Sequence, residues 1–124
     1  MKKWNTHELA WAAGFFDGEG CLCVDSSSGS QLAFKVYQAD IRPLERFQTA
    51  LGFGKIMGPY KHSNPLSKKP GYSYVINKWE LVQQAICCLW NYLSLPKQEQ
   101  IRACFISIAA RKVRKYHRKG VVYG

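Results

Sequence analysis

The sequence has 124 residues, of which 47% are hydrophobic and 14% aromatic, and this composition predicts one folded domain and excludes a disordered chain. The formal net charge of +10 is unevenly spread, since residues 1–50 carry five basic and six acidic side chains whereas residues 51–124 carry thirteen and two. The basic second part favours a polyanionic partner, most simply nucleic acid, over a membrane surface, because no basic amphipathic helix with a clean apolar face stands out.

The first predicted element is a short apolar helix over roughly 6–17, with Asn5 as its N-cap and Glu8 placed for a capping box. Two carboxylates, Asp17 and Glu19, follow near its end and stand next to glycines. Because the C-terminus of a helix carries partial negative charge, this end is suited to holding a cation. A glycine-capped helix whose acids are merely solvated has the same pattern, and spacing alone leaves both interpretations open.

A β-hairpin comes next. Residues 20–25 and 31–38 alternate between apolar and polar side chains on either side of a serine-rich turn at 26–30, which predicts two antiparallel strands. The remaining predicted elements are a helix that starts near Asp40 or Arg42 and ends at Gly52, a strand over 54–58, a long basic loop over 59–71, a strand over 72–77, and helices over about 79–93 and 97–114 that are separated at Leu95-Pro96.

The predicted order αββαββαα indicates the α+β class, with one antiparallel four-stranded sheet and helices on one face. The other face would present long polar, basic and aromatic side chains, a pattern suited to the major groove of DNA. An ordinary hydrated sheet face has the same alternation. The residues expected on this outer face are Gln31, Lys35, Tyr37, Lys55, Lys61 and Tyr72.

The chain ends on a basic run, with six Lys and Arg residues among the nine positions 111–119. Such a run is usual for a solvated helix face or a loose tail. Because the whole protein is basic, the run is at least as consistent with contact to nucleic-acid phosphates as with a solvated face or tail.

The five cysteines and three histidines show no zinc-site spacing, and an odd number of cysteines in apolar segments predicts free thiols in a reducing compartment. The polar run Asn5-Thr-His-Glu8 stands close after Met1-Lys2-Lys3 where a signal would have an apolar segment, so we expect no secretory signal, and no apolar run has the length of a membrane span. The sequence therefore predicts a protein of an organelle or of bacterial or phage-infected cytoplasm that is not secreted.

The stretch Ala12-Ala-Gly-Phe-Phe-Asp-Gly-Glu-Gly20 resembles the nine-residue motif of the LAGLIDADG homing endonucleases. Gly14, Asp17 and Gly20 match the motif outright, and Glu19 stands where the family more often has Asp. The order αββαββαα is also the one this family leads us to expect, around a saddle-shaped sheet. By this resemblance Asp17 is a structural residue that caps or bonds the helix end.

The resemblance covers roughly residues 7–112 of a single domain, 1–124, and leaves 113–124 as a basic tail without a clear counterpart. The chain holds one copy of the motif. Single-motif members resemble half of an active enzyme, which implies a homodimer that recognises a long, pseudo-palindromic site in double-stranded DNA. The dimer-interface residues expected on this basis are Ala10, Ala13, Gly14, Asp17 and Gly18.

The resemblance also implies an activity, that of an intron-encoded, site-specific DNA endonuclease that uses Mg²⁺, or Mn²⁺ or Ca²⁺ at the same site, and leaves 3′ overhangs. Glu19 and the backbone carbonyl of Gly18 match the metal-binding positions of the family. Gln38 and Lys97 match active-site groups that order water, and Arg42 matches a basic residue near the scissile phosphate. The residues expected to contact DNA are Cys23, Asp25, Ser27, Gln31, Ala33, Lys35, Tyr37, Lys55, Met57, Lys61, Tyr72 and Tyr74.

Two alternatives remain open. An RNA maturase or a non-catalytic DNA-binding regulator on the same scaffold often lacks the acids, so the presence of Glu19, Lys97 and Gln38 argues against it. A plain dimeric interaction module would not need the basic second part. Salt-dependent binding to duplex DNA, absent for RNA, separates these interpretations.

Overall fold

The computed structural model of the protein describes residues 4–25, 31–60 and 71–118, with all their side chains except those of Asp25, Gln31 and 111–118. The predicted order αββαββαα is confirmed. No helix in the described ranges is both long enough and apolar enough to cross a membrane. The elements are α1 (Thr6–Glu19), β1 (Gly20–Asp25), β2 (Gln31–Gln38), α2 (Ile41–Leu51), β3 (Lys55–Tyr60), β4 (Gly71–Ile76), α3 (Trp79–Leu89), a 3-10 turn (Trp90–Tyr92) and α4 (Leu95–Arg118).

The four strands form one sheet in the order β1-β2-β4-β3, and every neighbouring pair is antiparallel. Val36 of β2 lies opposite both Gly20 of β1 and Tyr74 of β4, and Tyr74 lies opposite Ile56 of β3. Because side chains alternate along each strand, this register defines one inner row across the sheet. The helices pack against that inner face, which confirms the predicted layering.

Aromatic rings join the first two helices to the sheet. Phe16 of α1 stacks on Phe34 of β2 with the ring centroids 4.2 Å apart, and Phe47 of α2 meets Tyr74 of β4 edge-on at 4.8 Å. All four rings are fully buried. Burying a phenylalanine side chain contributes about 2–3 kcal/mol, so this cluster holds the second half of α1 firmly on the sheet.

The position of Tyr74 corrects one expectation from the sequence. The sequence predicts that Tyr74 contacts DNA, but Tyr74 is fully buried on the inner face. Tyr72, Tyr74 and Ile76 share one face of β4, and burial of the apolar Ile76 carries both tyrosines to the helix side. The Tyr74 hydroxyl donates a 2.6 Å hydrogen bond to the carbonyl of Phe53, and burial raises its pKa.

Tyr74→Phe is expected to lower the free energy of unfolding by about 1–2 kcal/mol, because the Phe53 carbonyl loses a partly buried donor while the ring packing stays. Urea denaturation followed by circular dichroism measures this change. Tyr72→Phe on the same strand is the matched control, since Tyr72 is only half-buried. Equal stabilities of the two variants would contradict the role of the hydroxyl.

The N-terminus of α1 is capped as predicted and is tied to α2. The Asn5 side chain accepts hydrogen bonds from two backbone N–H groups of the first turn, including that of Glu8. The Glu8 carboxylate, which the sequence places for a capping box, lies 2.9 Å from the Arg46 guanidinium of α2. Arg46 also stacks 4.0 Å from the centroid of the Trp11 ring. These contacts fix the start of α1 against α2.

The last helix, α4, starts earlier than predicted, because Pro96 is tolerated in a first turn, where its missing N–H would have no intrahelical partner. The hydroxyl of Ser94 accepts from the backbone N–H of Lys97 at 3.4 Å and caps this turn. Further along, the Cys104 thiol donates to the backbone carbonyl of Leu22 at 3.2 Å. Helix α4 therefore lies along β1, which is an edge strand of the sheet.

Candidate active site and nucleic-acid interface

The C-terminal end of α1 forms the centre of the candidate site. Glu19 is the last residue of this helix, and both Glu19 and Gly18 are exposed. The N–H of Gly20 donates to the carbonyl of Phe16 and closes the helix where β1 begins. A Cβ on Gly20 would lie 2.0 Å from the Phe16 ring, so the strand can start here only because this residue is glycine. The last carbonyls of a helix lack intrahelical donors, and this end therefore gathers oxygen atoms beside the Glu19 carboxylate.

Lys97 comes to this end of α1 from the first turn of α4. Its ammonium group donates to the carbonyl of Gly20 at 3.0 Å and to the side-chain oxygen of Gln100 at 3.1 Å. It also lies 5.4 Å from the centroid of the Phe16 ring. The structure thus places a cation on the carbonyl of the residue that follows Glu19.

Asp17 joins the end of α1 to the start of α4. Its carboxylate accepts hydrogen bonds from the hydroxyl of Ser94 at 3.0 Å and from the backbone N–H of Ser94 at 3.2 Å. Since Ser94 caps the turn that carries Lys97, these bonds set the position of Lys97 relative to Gly20. The contacts agree with a structural role for Asp17.

Gln38 is the final residue of β2 and lies opposite Tyr72. Val36, two positions earlier on the same face, lies opposite Gly20. Gln38 therefore extends past the start of β1, on the side of the sheet where α1 ends, and it is half-buried. The strand register places it at the same end of the fold as Lys97.

Arg42 is bonded to the N-cap of α2. Its guanidinium forms a bidentate contact with the Asp40 carboxylate, with a shortest distance of 2.6 Å, and 84% of its side chain is exposed. This hydrogen bonding holds the pKa of Asp40 at about 2. A phosphate would have to compete with Asp40 for this guanidinium.

One copy of the chain supplies few ligands for a cation. Among the residues that the structure describes, no group of three or more His, Cys, Asp or Glu side chains is placed to hold a metal ion. The chemistry at the end of α1 nevertheless fits a hard divalent ion, because the available donors are the Glu19 carboxylate and backbone carbonyls. Glu19 and the backbone carbonyl of Gly18 are the groups that would hold such an ion.

The outer face of the sheet, on the side away from the helices, carries several of the residues expected to contact DNA. Lys35 and Tyr37 of β2 and Lys55 and Met57 of β3 are exposed there. Cys23 is half-buried on the same face, and its thiol donates weakly to the carbonyl of Ala33 at 3.7 Å. The expected contacts Ser27 and Lys61, and the side chains of Asp25 and Gln31, lie outside the described residues.

Two further DNA-contact expectations need correction. Ala33 is only 2% exposed, so its small side chain is covered by its neighbours and offers no surface to a base. Tyr72 lies on the inner face with Tyr74, in contact with the core. The register places Ser73 and Val75 of β4 on the outer face instead, opposite Tyr37 and Lys35.

The outer face also carries Tyr60, Ser73 and Cys21, which the sequence does not mark as DNA contacts. Two tyrosine side chains cross β4 on this face. Tyr37 covers Gly71, where a Cβ would lie 1.7 Å from the tyrosine oxygen. Tyr60 reaches from β3 to within 3.0 Å of the Ser73 hydroxyl. Cys21 is also exposed, at the start of β1 opposite Lys35. The position of Ile76 in the sequence could have predicted which face of β4 is buried. Ile76 and Tyr74 are two residues apart and share a face, so an outward Tyr74 would have exposed this isoleucine to water.

The exposed side of α1 is a strip of small residues. Ala10, Gly14 and Gly18 are exposed, and a Cβ built on either glycine has no heavy atom within 4 Å. Ala13 corrects the sequence expectation of a dimer contact, because it is fully buried in the core of its own chain. Asp17 is half-buried against Ser94. We call Ala10, Gly14 and Gly18 the α1 strip.

Comparisons with known proteins match at the level of structure. No family model matches the sequence, and a search of curated proteins finds no match either. The group I intron-encoded homing endonuclease I-CeuI, solved in complex with DNA, superposes with a TM-score of 0.67 at 14% identity, covering 95% of this chain and 61% of that chain. The homing endonuclease I-CvuI, solved with a DNA target in the presence of 2 mM Mg, gives 0.60 at 22% identity, covering 87% and 69%.

The LAGLIDADG meganuclease I-CpaMI, bound to uncleaved DNA, gives a TM-score of 0.59 at 22% identity, covering 92% of this chain and 40% of that chain. These likenesses show that the chain has the fold of the LAGLIDADG homing endonucleases, as its α1 motif indicates. The chain spans less than two thirds of the I-CeuI and I-CpaMI chains.

Proposed function

We propose that this chain, which has the LAGLIDADG homing-endonuclease fold, is a site-specific endonuclease that hydrolyses both strands of duplex DNA as a homodimer with a divalent cation. The observation that carries the proposal is the Lys97 ammonium, held 3.0 Å from the Gly20 carbonyl at the end of the helix that presents Glu19. The cationic outer face of the sheet supports it, as does structural similarity to endonucleases solved with DNA.

Glu19 and the Gly18 carbonyl would hold Mg²⁺, which prefers carboxylate and carbonyl oxygens and keeps several waters, and Mn²⁺ or Ca²⁺ would accept the same donors. When bound, the ion supplies positive charge at the scissile phosphate and lowers the pKa of a coordinated water. Lys97 donates hydrogen bonds towards the phosphate oxygen and the attacking water. Gln38 orders that water through its amide, and the proton passes to solvent.

The outer face of the sheet would read the bases in the major groove. Lys35 and Lys55 supply donors for guanine or phosphate, while Met57 and the two tyrosines supply apolar contact and hydroxyl groups. Two such faces related by a two-fold axis would recognise a long, pseudo-palindromic site and leave 3′ overhangs. The odd number of cysteines, set in apolar segments, supports action inside a reducing compartment.

The dimer would form through the α1 strip. A single chain has one Glu19 and one outer sheet face, whereas cleaving both strands of a DNA duplex requires two active sites. The strip is open and lacks side-chain bulk, so two α1 helices can approach backbone to backbone around a two-fold axis. The two Glu19 carboxylates would then lie near the axis, one for each strand.

Gly14→Leu is expected to leave the fold intact and to convert the dimer into a monomer. The added side chain meets open space within its own chain but fills the proposed contact between helices. Sedimentation velocity, with and without duplex DNA, measures the change in mass. Ala103→Leu, at an exposed position of α4, is the control and should remain dimeric. A dimeric Gly14→Leu protein would contradict the proposed interface.

The activity itself is tested by incubating the protein with a plasmid library of randomised inserts, with Mg²⁺ or with EDTA, and sequencing the DNA ends. We expect metal-dependent double-strand breaks with 3′ overhangs at a small set of related sequences. A protein that leaves all duplexes intact but binds structured RNA would favour a maturase and overturn the endonuclease assignment.

A further inference from the structure

Helix α4 continues ten residues past Ile108, the last buried residue among those of its side chains that the structure describes. Within the described part of α4, up to residue 110, Ile101 and Ile108 are buried, with 1% and 3% of their surfaces exposed. The helix runs on to Arg118, and at 1.5 Å per residue the segment 109–118 adds about 15 Å beyond Ile108. We call residues 109–118 the α4 extension.

The α4 extension is strongly basic in composition. It holds five Lys and Arg residues and no acid. Arg111 and Lys115, and likewise Arg114 and Arg118, stand four positions apart, where like charges destabilise a helix by about 0.2–0.5 kcal/mol per pair. A polyanion alongside the extension would remove the repulsion and stabilise the helix.

The direction of α4 places the extension relative to the rest of the molecule. Lys97 lies at Gly20, the first residue of β1, and Cys104 lies at Leu22, further along the same strand. Helix α4 therefore advances along β1, away from the end of α1. The extension continues in this direction, away from the proposed dimer axis. In a dimer bound to DNA, the two extensions would flank the outer ends of the site.

The sequence of the extension favours DNA over a membrane as its partner. Among residues 111–118, Val113 is the one aliphatic side chain and Tyr116 the one aromatic. An interfacial membrane helix needs a broad apolar face, which two such residues do not provide. Duplex DNA carries one charge per about 1.7 Å of its axis, so a cationic segment about 15 Å long spans several phosphates.

We propose that the α4 extension is a second DNA-binding element, which contacts backbone phosphates flanking the bases read by the sheet and does not itself read sequence. The proposal rests on the proposed function, because it needs a duplex seated on the outer face. It assigns affinity to the extension and sequence recognition to the sheet.

The test replaces Arg111, Lys112, Arg114 and Lys115 by Gln, which removes four charges and keeps helix propensity high. Affinity is measured as a function of salt on a random-sequence duplex of about 40 base pairs, and we expect it to fall about 10- to 100-fold with a salt slope smaller by about 3. The relative cleavage rates of different target sequences should stay unchanged.

The control carries the same change in net charge on the helix side of the sheet, through Lys78→Glu, Gln83→Glu and Gln84→Glu, all at exposed positions. It should keep the salt slope of the wild type. Equal slopes in all three proteins would overturn the proposal, as would a quadruple variant that loses affinity for RNA but not for the duplex. If the wild type binds duplex but never cleaves, the proposed function fails while the slope comparison still decides the role of the extension.

Discussion

Glu19→Gln is expected to abolish cleavage while leaving DNA binding intact. The amide has the size of the carboxylate but no charge, so it cannot hold a divalent ion beside the phosphate. Loss of several kcal/mol of transition-state stabilisation corresponds to a fall of about 10³-fold or more in the cleavage rate. Because Glu19 is exposed, the free energy of unfolding should stay within about 0.5 kcal/mol of the wild type.

Single-turnover cleavage of the target found in the library measures this effect, with gel shifts on the same duplex as the binding readout. Glu45→Gln is the matched control, because Glu45 is an exposed helical glutamate on α2, away from the end of α1. It should cleave as the wild type does. A Glu19→Gln protein that still cuts in Mg²⁺ would refute the assignment of this residue, and parallel losses in both variants would point to a general charge effect.

Gly20→Ala is expected to destabilise the protein by about 3 kcal/mol or more, at the upper end of the cost of overpacking a core. The new methyl group would lie 2.0 Å from the Phe16 ring, and that ring is stacked on Phe34 and cannot move aside. Urea denaturation measures the loss. Cleavage should fall as well, because the Gly20 carbonyl that accepts from Lys97 would shift.

Two further variants test whether the loss of stability is steric or whether any substitution in the motif is destabilising. Gly18→Ala should be tolerated in the folded chain, since a Cβ there has no heavy atom within 4 Å. Phe16→Leu should partly rescue Gly20→Ala by making room for the methyl group, giving a favourable coupling energy of about 1–2 kcal/mol in a double-mutant cycle. Additive effects of the two substitutions would contradict the steric explanation.

The architecture was largely predictable because local signals agreed with one another. Asn5, Asp40 and Gly52 act as the helix caps that their residue types predict, and the hairpin alternation puts Leu22 and Phe34 on the inner face. The predictions were wrong where the alternation of apolar and polar residues did not by itself decide which face of an element is buried. In β4 the tyrosines looked suited to DNA, but Ile76 on the same face decides the orientation. In α1, Ala13 follows Leu9 by four positions and belongs to the buried side of the helix.

The contacts within the candidate site were harder to predict from the sequence than the fold was. Lys97 and Gly20 are 77 positions apart, and no local pattern brings them together. The motif resemblance implies an active-site role for Lys97, but its bond to Gly20 and the part that Ser94 plays in fixing it come only from the structure. The outward position of Ser73 follows from the inward position of Ile76, but its pairing with Tyr37 depends on long-range register that spacing does not encode.

The two edges of the sheet are closed to further strands by different means. Along β1, α4 occupies the free edge and the Cys104 thiol takes the carbonyl of Leu22. Along β3, the register shifts between Met57 and Tyr60, and Pro59 has no N–H to offer a neighbouring strand. An exposed, hydrogen-bonding sheet would otherwise recruit other copies edge to edge. Pairing of strands between copies is therefore disfavoured at both edges, while the outer face of the sheet stays open.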